Sequence, residues 1–137
     1  MKLIRFGLPG EEKPGVVTAA GMFEVSAFGE DFGERFFETN GLDRLAQWWA
    51  VNGKDCAPVP EGTRLGSPIQ RPSKIICIGL NYADHARETN AQIPQEPIVF
   101  FKSTSSLVGP NDNLVIPKNS QKTDWEVELV VVIGKKA

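Results

Sequence analysis

The sequence predicts a β-rich α+β fold, and three observations predict it. Short apolar, β-branched runs recur at residues 3–6, 16–19, 22–25, 74–78, 98–101, 114–116 and 130–133, the composition and length of strands. One stretch, residues 41–51, carries a helical apolar period. Prolines and glycines punctuate the intervals between these runs, which breaks the chain into short elements and leaves no room for regular strand–helix alternation.

Each element follows from its residues. Leu3 to Phe6 opens the chain as a strand, and residues 16–19 with 22–25 form a hairpin turning at Ala20-Gly21. In the helix, Leu42, Leu45, Ala46 and Trp49 fall at i, i+3, i+4 and i+7, with Asp43, Arg44 and Gln47 off that stripe. Gly53 suits the left-handed residue that ends such a helix. The neighbouring Trp48 and Trp49 read as core packing. Residues 57–73 hold Pro58, Pro60, Pro68 and Pro72, a connector that divides a small N-terminal domain with its linker, 1–70, from a second domain, 71–137. That second domain opens on the strand Lys74-Ile75-Ile76-Cys77-Ile78, in which Cys77 reads as a buried thiol. It continues with strands at 98–101 and 114–116. The last strand, 130–133, is apolar at every position, as in strands covered on both faces.

Composition narrows the function classes. The chain has 137 residues, 41% of them hydrophobic, enough for a core. A formal charge of −2 with dispersed charges argues against a nucleic-acid or anionic-membrane partner. No apolar run approaches the ~20 residues a membrane helix needs, and the first residues lack a signal-peptide core. Two cysteines, Cys56 and Cys77, make no disulfide framework. The expected compartment is the cytoplasm.

Two patterns carry possible chemistry. Asp124, Glu126 and Glu128 alternate on an extended strand, so they share a face at roughly 6–7 Å spacing. Aligned carboxylates entering an apolar strand call for a compensating positive charge, and a hard divalent cation such as Mg²⁺ takes oxygen ligands. After the strand at 74–78, Asn81 and Asp84 resemble a capping pair opening a helix on which His85 and Glu88, at i and i+3, are neighbours. An imidazole beside a carboxylate is oriented for proton transfer, and His85 is the only histidine. Taken singly, each pattern has an ordinary explanation: a solvated surface pair, and the solvent face of a half-buried strand. Their co-occurrence favours a shared cleft. Lys102 is a cation at a strand end, and the hydroxyl run Ser103-Thr104-Ser105-Ser106 is accounted for by turn chemistry.

The blocks Lys74-Ile75-Ile76-Cys77-Ile78-Gly79-Leu80-Asn81-Tyr82-Ala83-Asp84-His85-Ala86-Arg87-Glu88, Phe100-Phe101-Lys102-Ser103 and Asp124-Trp125-Glu126-Val127-Glu128-Leu129-Val130-Val131-Val132-Ile133-Gly134, in this order and separation, strongly resemble the fumarylacetoacetate hydrolase family. The opening, from Met1 to Gly7 with Glu12-Lys13-Pro14-Gly15, looks like the small N-terminal domain of bacterial members named ureidoglycolate lyase or 2-hydroxyhepta-2,4-diene-1,7-dioate isomerase. The resemblance implies that a small N-terminal domain precedes the first part of a β-roll. It implies Glu126 and Glu128 as ligands of Mg²⁺ or Mn²⁺, His85 and Glu88 as a catalytic dyad, and Tyr82 and Lys102 as substrate contacts. Asp124 shares the face but is not one of the family's usual ligands. The family's third metal ligand, an aspartate, and an active-site lysine lie further along, so the resemblance implies the N-terminal half of the enzyme. The implied activity is hydrolysis, isomerisation or lyase cleavage of a 2-oxo or enol carboxylic acid through a metal-stabilised enolate, by a homodimer of the complete protein. The competing expectations are a non-catalytic fragment and a β-rich binding module without turnover.

Overall fold

The computed structural model describes residues 1–136, which form an α+β arrangement in two compact units, 1–70 with 108–137 and 71–107. In the first unit, β1 (Lys2–Phe6), β2 (Lys13–Thr18) and β3 (Gly21–Glu24) make an antiparallel sheet in the order β1-β2-β3. Val16 lies opposite Leu3 on one side and Phe23 on the other. The hairpin reverses at Ala19-Ala20, since Thr18 pairs with Gly21. Beneath the sheet, α1 (Glu34–Glu38) and α2 (Gly41–Asn52) deliver the covering side chains.

Val16, Val25, Phe32, Phe36 and Leu45 are fully buried and form one cluster. Burying each such side chain is worth about 1.5–3 kcal/mol. Phe36 is the hub: its ring meets Phe32 at 5.0 Å, Phe37 at 5.1 Å and Phe28 at 6.2 Å, edge-on in each case. Gly41 is required by this ring, because a Cβ there would stand 2.3 Å from the Phe36 ring. Asn40 makes the tight corner between the helices in the left-handed region, φ 56°.

The connector is not a loose linker. Glu24 and Val59 exchange amide hydrogen bonds with Ala57 and Met22, and Gly7 and Gly66 do the same with Arg64 and Arg5. The 57–66 stretch therefore lies along both β3 and β1, covering backbone that edge strands leave open.

The structure departs from the sequence expectations at several residues. Leu42 and Ala46 face solvent, and the buried stripe of α2 runs through Leu45 with Trp48 and Trp49 packed beside it. The sheet lies on that side, so the tryptophans and not the smaller residues complete the contact. Gly53 is right-handed, φ −58°, since a 3₁₀ turn at Gly53–Asp55 continues the helix. Its lack of a side chain serves packing instead: a Cβ would come 2.7 Å from the Trp49 ring. Cys77 is half-buried rather than buried.

In the second unit, β4 (Ile75–Gly79) pairs antiparallel with β5 (Ile98–Lys102), and α3 (Ala83–Glu88) lies between them in sequence. Cross-strand partners Ile76–Phe101 and Ile78–Val99 share a face, and all four are exposed. The expected strands at 114–116 and 130–133 form no ladder. Apolar patterning supplies the side chains of a strand, but a strand also needs a hydrogen-bonding neighbour, and among the described residues none pairs there. Among the described residues no helix is long and apolar enough to cross a membrane.

Phe36→Ala is expected to destabilise the first unit by about 3–5 kcal/mol, seen as a lowered denaturation midpoint. That is a large share of the ~5–15 kcal/mol of a typical domain.

The carboxyls of Glu12 and Asp112 also make a pH prediction. At Glu12 burial opposes the charge, but hydrogen bonds from Arg64 and backbone amides, with Arg5 nearby, outweigh it and hold the carboxyl below its usual range. At Asp112 the Arg64 guanidinium is the main cause of the same lowering. Carboxyls lowered by folding stabilise fully above their unfolded values and lose that contribution as pH falls through the lowered ones. Stability is therefore expected to fall below about pH 4, with a shallower acid slope in Arg64→Ala, measured by urea unfolding across pH 2.5–6.

Candidate active site

Local backbone chemistry places the second unit's candidate residues. β4 ends at Gly79, and Leu80 turns the chain in the left-handed region, φ 47°. A residue with a Cβ is disfavoured there by about 1–2 kcal/mol, so this reversal is an enforced feature. Tyr82, extended at φ −117° and ψ 127°, is the residue that caps α3, and its side chain makes no cap hydrogen bond. The expected Asn81 cap is thus displaced by one residue, because the left-handed step at Leu80 delays the start of the helix.

The far end of α3 is closed by a Schellman-type turn. The Ala91 amide donates to Ala86 O at 2.8 Å and the Asn90 amide to Arg87 O at 3.1 Å, with Asn90 left-handed at φ 52°. Thr89 adds its hydroxyl to His85 O at 2.8 Å. Ala86 is the inward-facing residue, 1% exposed. His85 and Glu88 lie on the outward surface one turn apart, with Asp84 and Arg87 ion-paired beside them. Lys102 closes β5 opposite Ile75. Arg71 donates through Nε to the Thr104 hydroxyl at 2.9 Å. Ser103 accepts from the Ser105 amide to start the following 3₁₀ turn, the turn role expected for that hydroxyl run.

Tyr82, His85, Glu88 and Lys102 therefore belong to one unit, while Glu126 and Glu128 belong to the other. The two glutamates sit on a segment outside any strand or helix, and both are exposed. Two carboxylates two positions apart fit a hard divalent cation in donor type. They would supply part of the roughly six oxygens such an ion takes. Among the described residues no three His, Cys, Asp or Glu are gathered to hold a metal.

Arg64 and Asp112, which no sequence motif links, bind each other through two hydrogen bonds at 2.7 and 2.6 Å. A pair separated by 48 positions has no period to reveal it.

Comparison with known proteins identifies the scaffold. The sequence model of the fumarylacetoacetate hydrolase C-terminal domain matches residues 74–137, the stretch that holds every candidate residue above. Over that stretch the chain matches the fumarylacetoacetate hydrolase family. A relative from Burkholderia cenocepacia strain J2315, provisionally named as a hydrolase, is 49% identical over 137 residues, 99% of this chain and 48% of its own length. One from Burkholderia multivorans, also named as a hydrolase, is 49% identical over 135 residues, 98% of this chain and 47% of its own. The chain spans about half the length of the curated relatives it matches. A crystal structure from Mycobacterium smegmatis, provisionally named HpcE, superposes with a TM-score of 0.63 at 29% identity, over 88% of this chain and 42% of that one.

Asn90→Ala is expected to weaken the closing turn of α3, since alanine is disfavoured in the left-handed region by about 1–2 kcal/mol. Exchange of the Ala91 amide should quicken in Asn90→Ala and stay unchanged in Asn90→Gly.

Proposed function

We propose that this chain is the N-terminal half of a divalent-metal-dependent family enzyme acting on a 2-oxo or enol carboxylic acid. The observation that carries the reading is the family match over residues 74–137. That stretch contains both the His85–Glu88 pair and the Glu126–Glu128 pair, in the order and spacing of the family's motifs. Glu126 and Glu128 are the side chains that would hold the cation, Mg²⁺ or Mn²⁺. When bound, such an ion attracts carboxylate and neighbouring oxygens and favours charge developing on them. The chain's own residues do the rest. His85 takes a proton from water or from a substrate C–H at a ring nitrogen, and Glu88, one helical turn away, orients the ring. Lys102 offers a cation and Tyr82 a phenol to the substrate's carboxylate. The pocket decides between hydrolysis, tautomerisation and lyase cleavage, and the bacterial motif set favours isomerase or lyase chemistry on a dicarboxylic or ureido acid. In this reading the complete protein is a cytoplasmic homodimer.

A second reading is a folded fragment without turnover, and it rests on the chain spanning about half the length of the relatives it matches. Calorimetric titration of the chain with Mn²⁺ separates the two. Under the enzymatic reading the chain binds Mn²⁺ weakly and the double variant Glu126→Gln, Glu128→Gln binds none. Under the fragment reading both behave alike. In a version extended to the relatives' length, His85→Ala is expected to lower kcat by about 10²-fold or more with Mn²⁺ affinity unchanged. Unchanged turnover would remove the proposed role of His85.

A further inference from the structure

Arg64 is saturated by the protein itself. Its Nε and Nη2 donate to the two oxygens of Asp112, and its Nη1 donates to Gly7 O and to Glu12 Oε1, both at 2.9 Å. These are charge-assisted and largely sheltered, Glu12 being only 11% exposed. A guanidinium so occupied has little left for a ligand, so its role lies in what it joins. On one side are the turn after β1 and the loop before β2. On the other is the 109–112 turn, where the Gly109 amide donates to Asp112 Oδ2 at 2.7 Å and the Asp112 amide returns to Gly109 O at 3.2 Å.

The backbones are as close as the side chains. A Cβ on Gly109 would lie 2.1 Å from Leu65 O and 3.1 Å from the Gly66 Cα, so only glycine lets the turn seat against the connector. The same segment returns to the N-terminal domain further on. Gly134 rests against Phe37, within 3.1 Å of its Cβ if it carried one of its own, and Lys135 Nζ donates to Asn40 Oδ1 at 2.7 Å. Glu126 and Glu128 lie between these two contact points.

We propose that the Arg64–Asp112 pair, seated by Gly109, is a clasp through which the N-terminal domain positions the segment carrying Glu126 and Glu128. The small domain is then a scaffold for the acidic segment rather than a separable appendage, and Arg64 and Asp112 are positioning residues. The charged groups facing the clasp are Glu12, from the loop before β2, and Arg5, from β1. Arg5 is itself bound to Asp31 at 3.0 Å, so the clasp is one end of a larger network. The clasp itself stands on contacts within the first unit and does not depend on the two glutamates being metal ligands.

The test is amide hydrogen exchange at pH 7 on the chain as it stands, comparing wild type with Asp112→Asn, Arg64→Ala and Gly109→Ala. Asp112→Asn keeps the shape, removes the charge and turns one of the two accepting oxygens into a donor, so it breaks the pair and remains informative where Arg64→Ala fails to fold. The expected result is exchange of the Gly109, Asp112 and Ser120 amides, whose hydrogen bonds the structure shows, that is roughly tenfold faster in Asp112→Asn and Gly109→Ala, with peptides covering β2, β3 and α2 within about twofold of wild type. Unchanged exchange of these three amides in both variants overturns the proposal. A uniform acceleration across all peptides overturns it equally, because that is the response of a group that merely stabilises the whole fold. Mn²⁺ titration alone does not decide it, so failure of the clasp and failure of the enzymatic reading are separately visible.

Discussion

Burial of one sheet face by a cluster of phenylalanines is the constraint on which the first unit depends. Three short antiparallel strands offer Val16 as their central apolar contact, and a sheet this small has no stability without a cover. Phe32, Phe36 and Leu45 provide it from a short helix and a longer one, with Phe23, Phe28, Trp48 and Trp49 at the margin. The Phe36 ring dictates Gly41 and the Trp49 ring dictates Gly53. The left-handed Asn40 follows from the sharp turn needed to bring both helices onto the same face. Backbone features that look local are thus consequences of aromatic packing.

Charge then ties the remaining chain to this base. Arg5 and Arg64 share Glu12, and each also holds an aspartate, Asp31 and Asp112 respectively. Exposed ion pairs are worth little, but these are partly sheltered, hydrogen-bonded in pairs and linked into a network, which makes them directional fasteners. Gln70 joins the network through Asp31 at 2.9 Å, so the end of the connector is held as firmly as its middle. The second unit is different in kind. Its two-stranded ribbon buries little, leaving Ile76, Ile78, Val99 and Phe101 exposed, and its short helix relies on the turn geometry at Leu80 and Asn90.

The candidate chemistry divides along the same line. His85, Glu88, Tyr82 and Lys102 take their places from local rules: a strand end, a left-handed step, a one-turn spacing. These are legible in a sequence because the residues involved are within a few positions of each other. Glu126 and Glu128 were legible as alternating carboxylates, and the family match covers them. Their setting outside any ladder was not legible in the same way, since an apolar run reads as a strand whether or not a neighbour is available to pair with it.

The sequence by itself determined the β-rich α+β class, the hairpin, the long helix, the strand–helix–strand order of residues 75–102 and the family match of residues 74–137. Each rests on short-range periodicity or on contiguous motifs. Only the tertiary structure decided which face of α2 is buried, why Gly41, Gly53 and Gly109 must be glycine, and that Arg64 meets Asp112. Those outcomes depend on which surfaces come together across tens of residues. Side-chain volume and charge at such a distance leave no period in the chain, so they become visible only when the packing is.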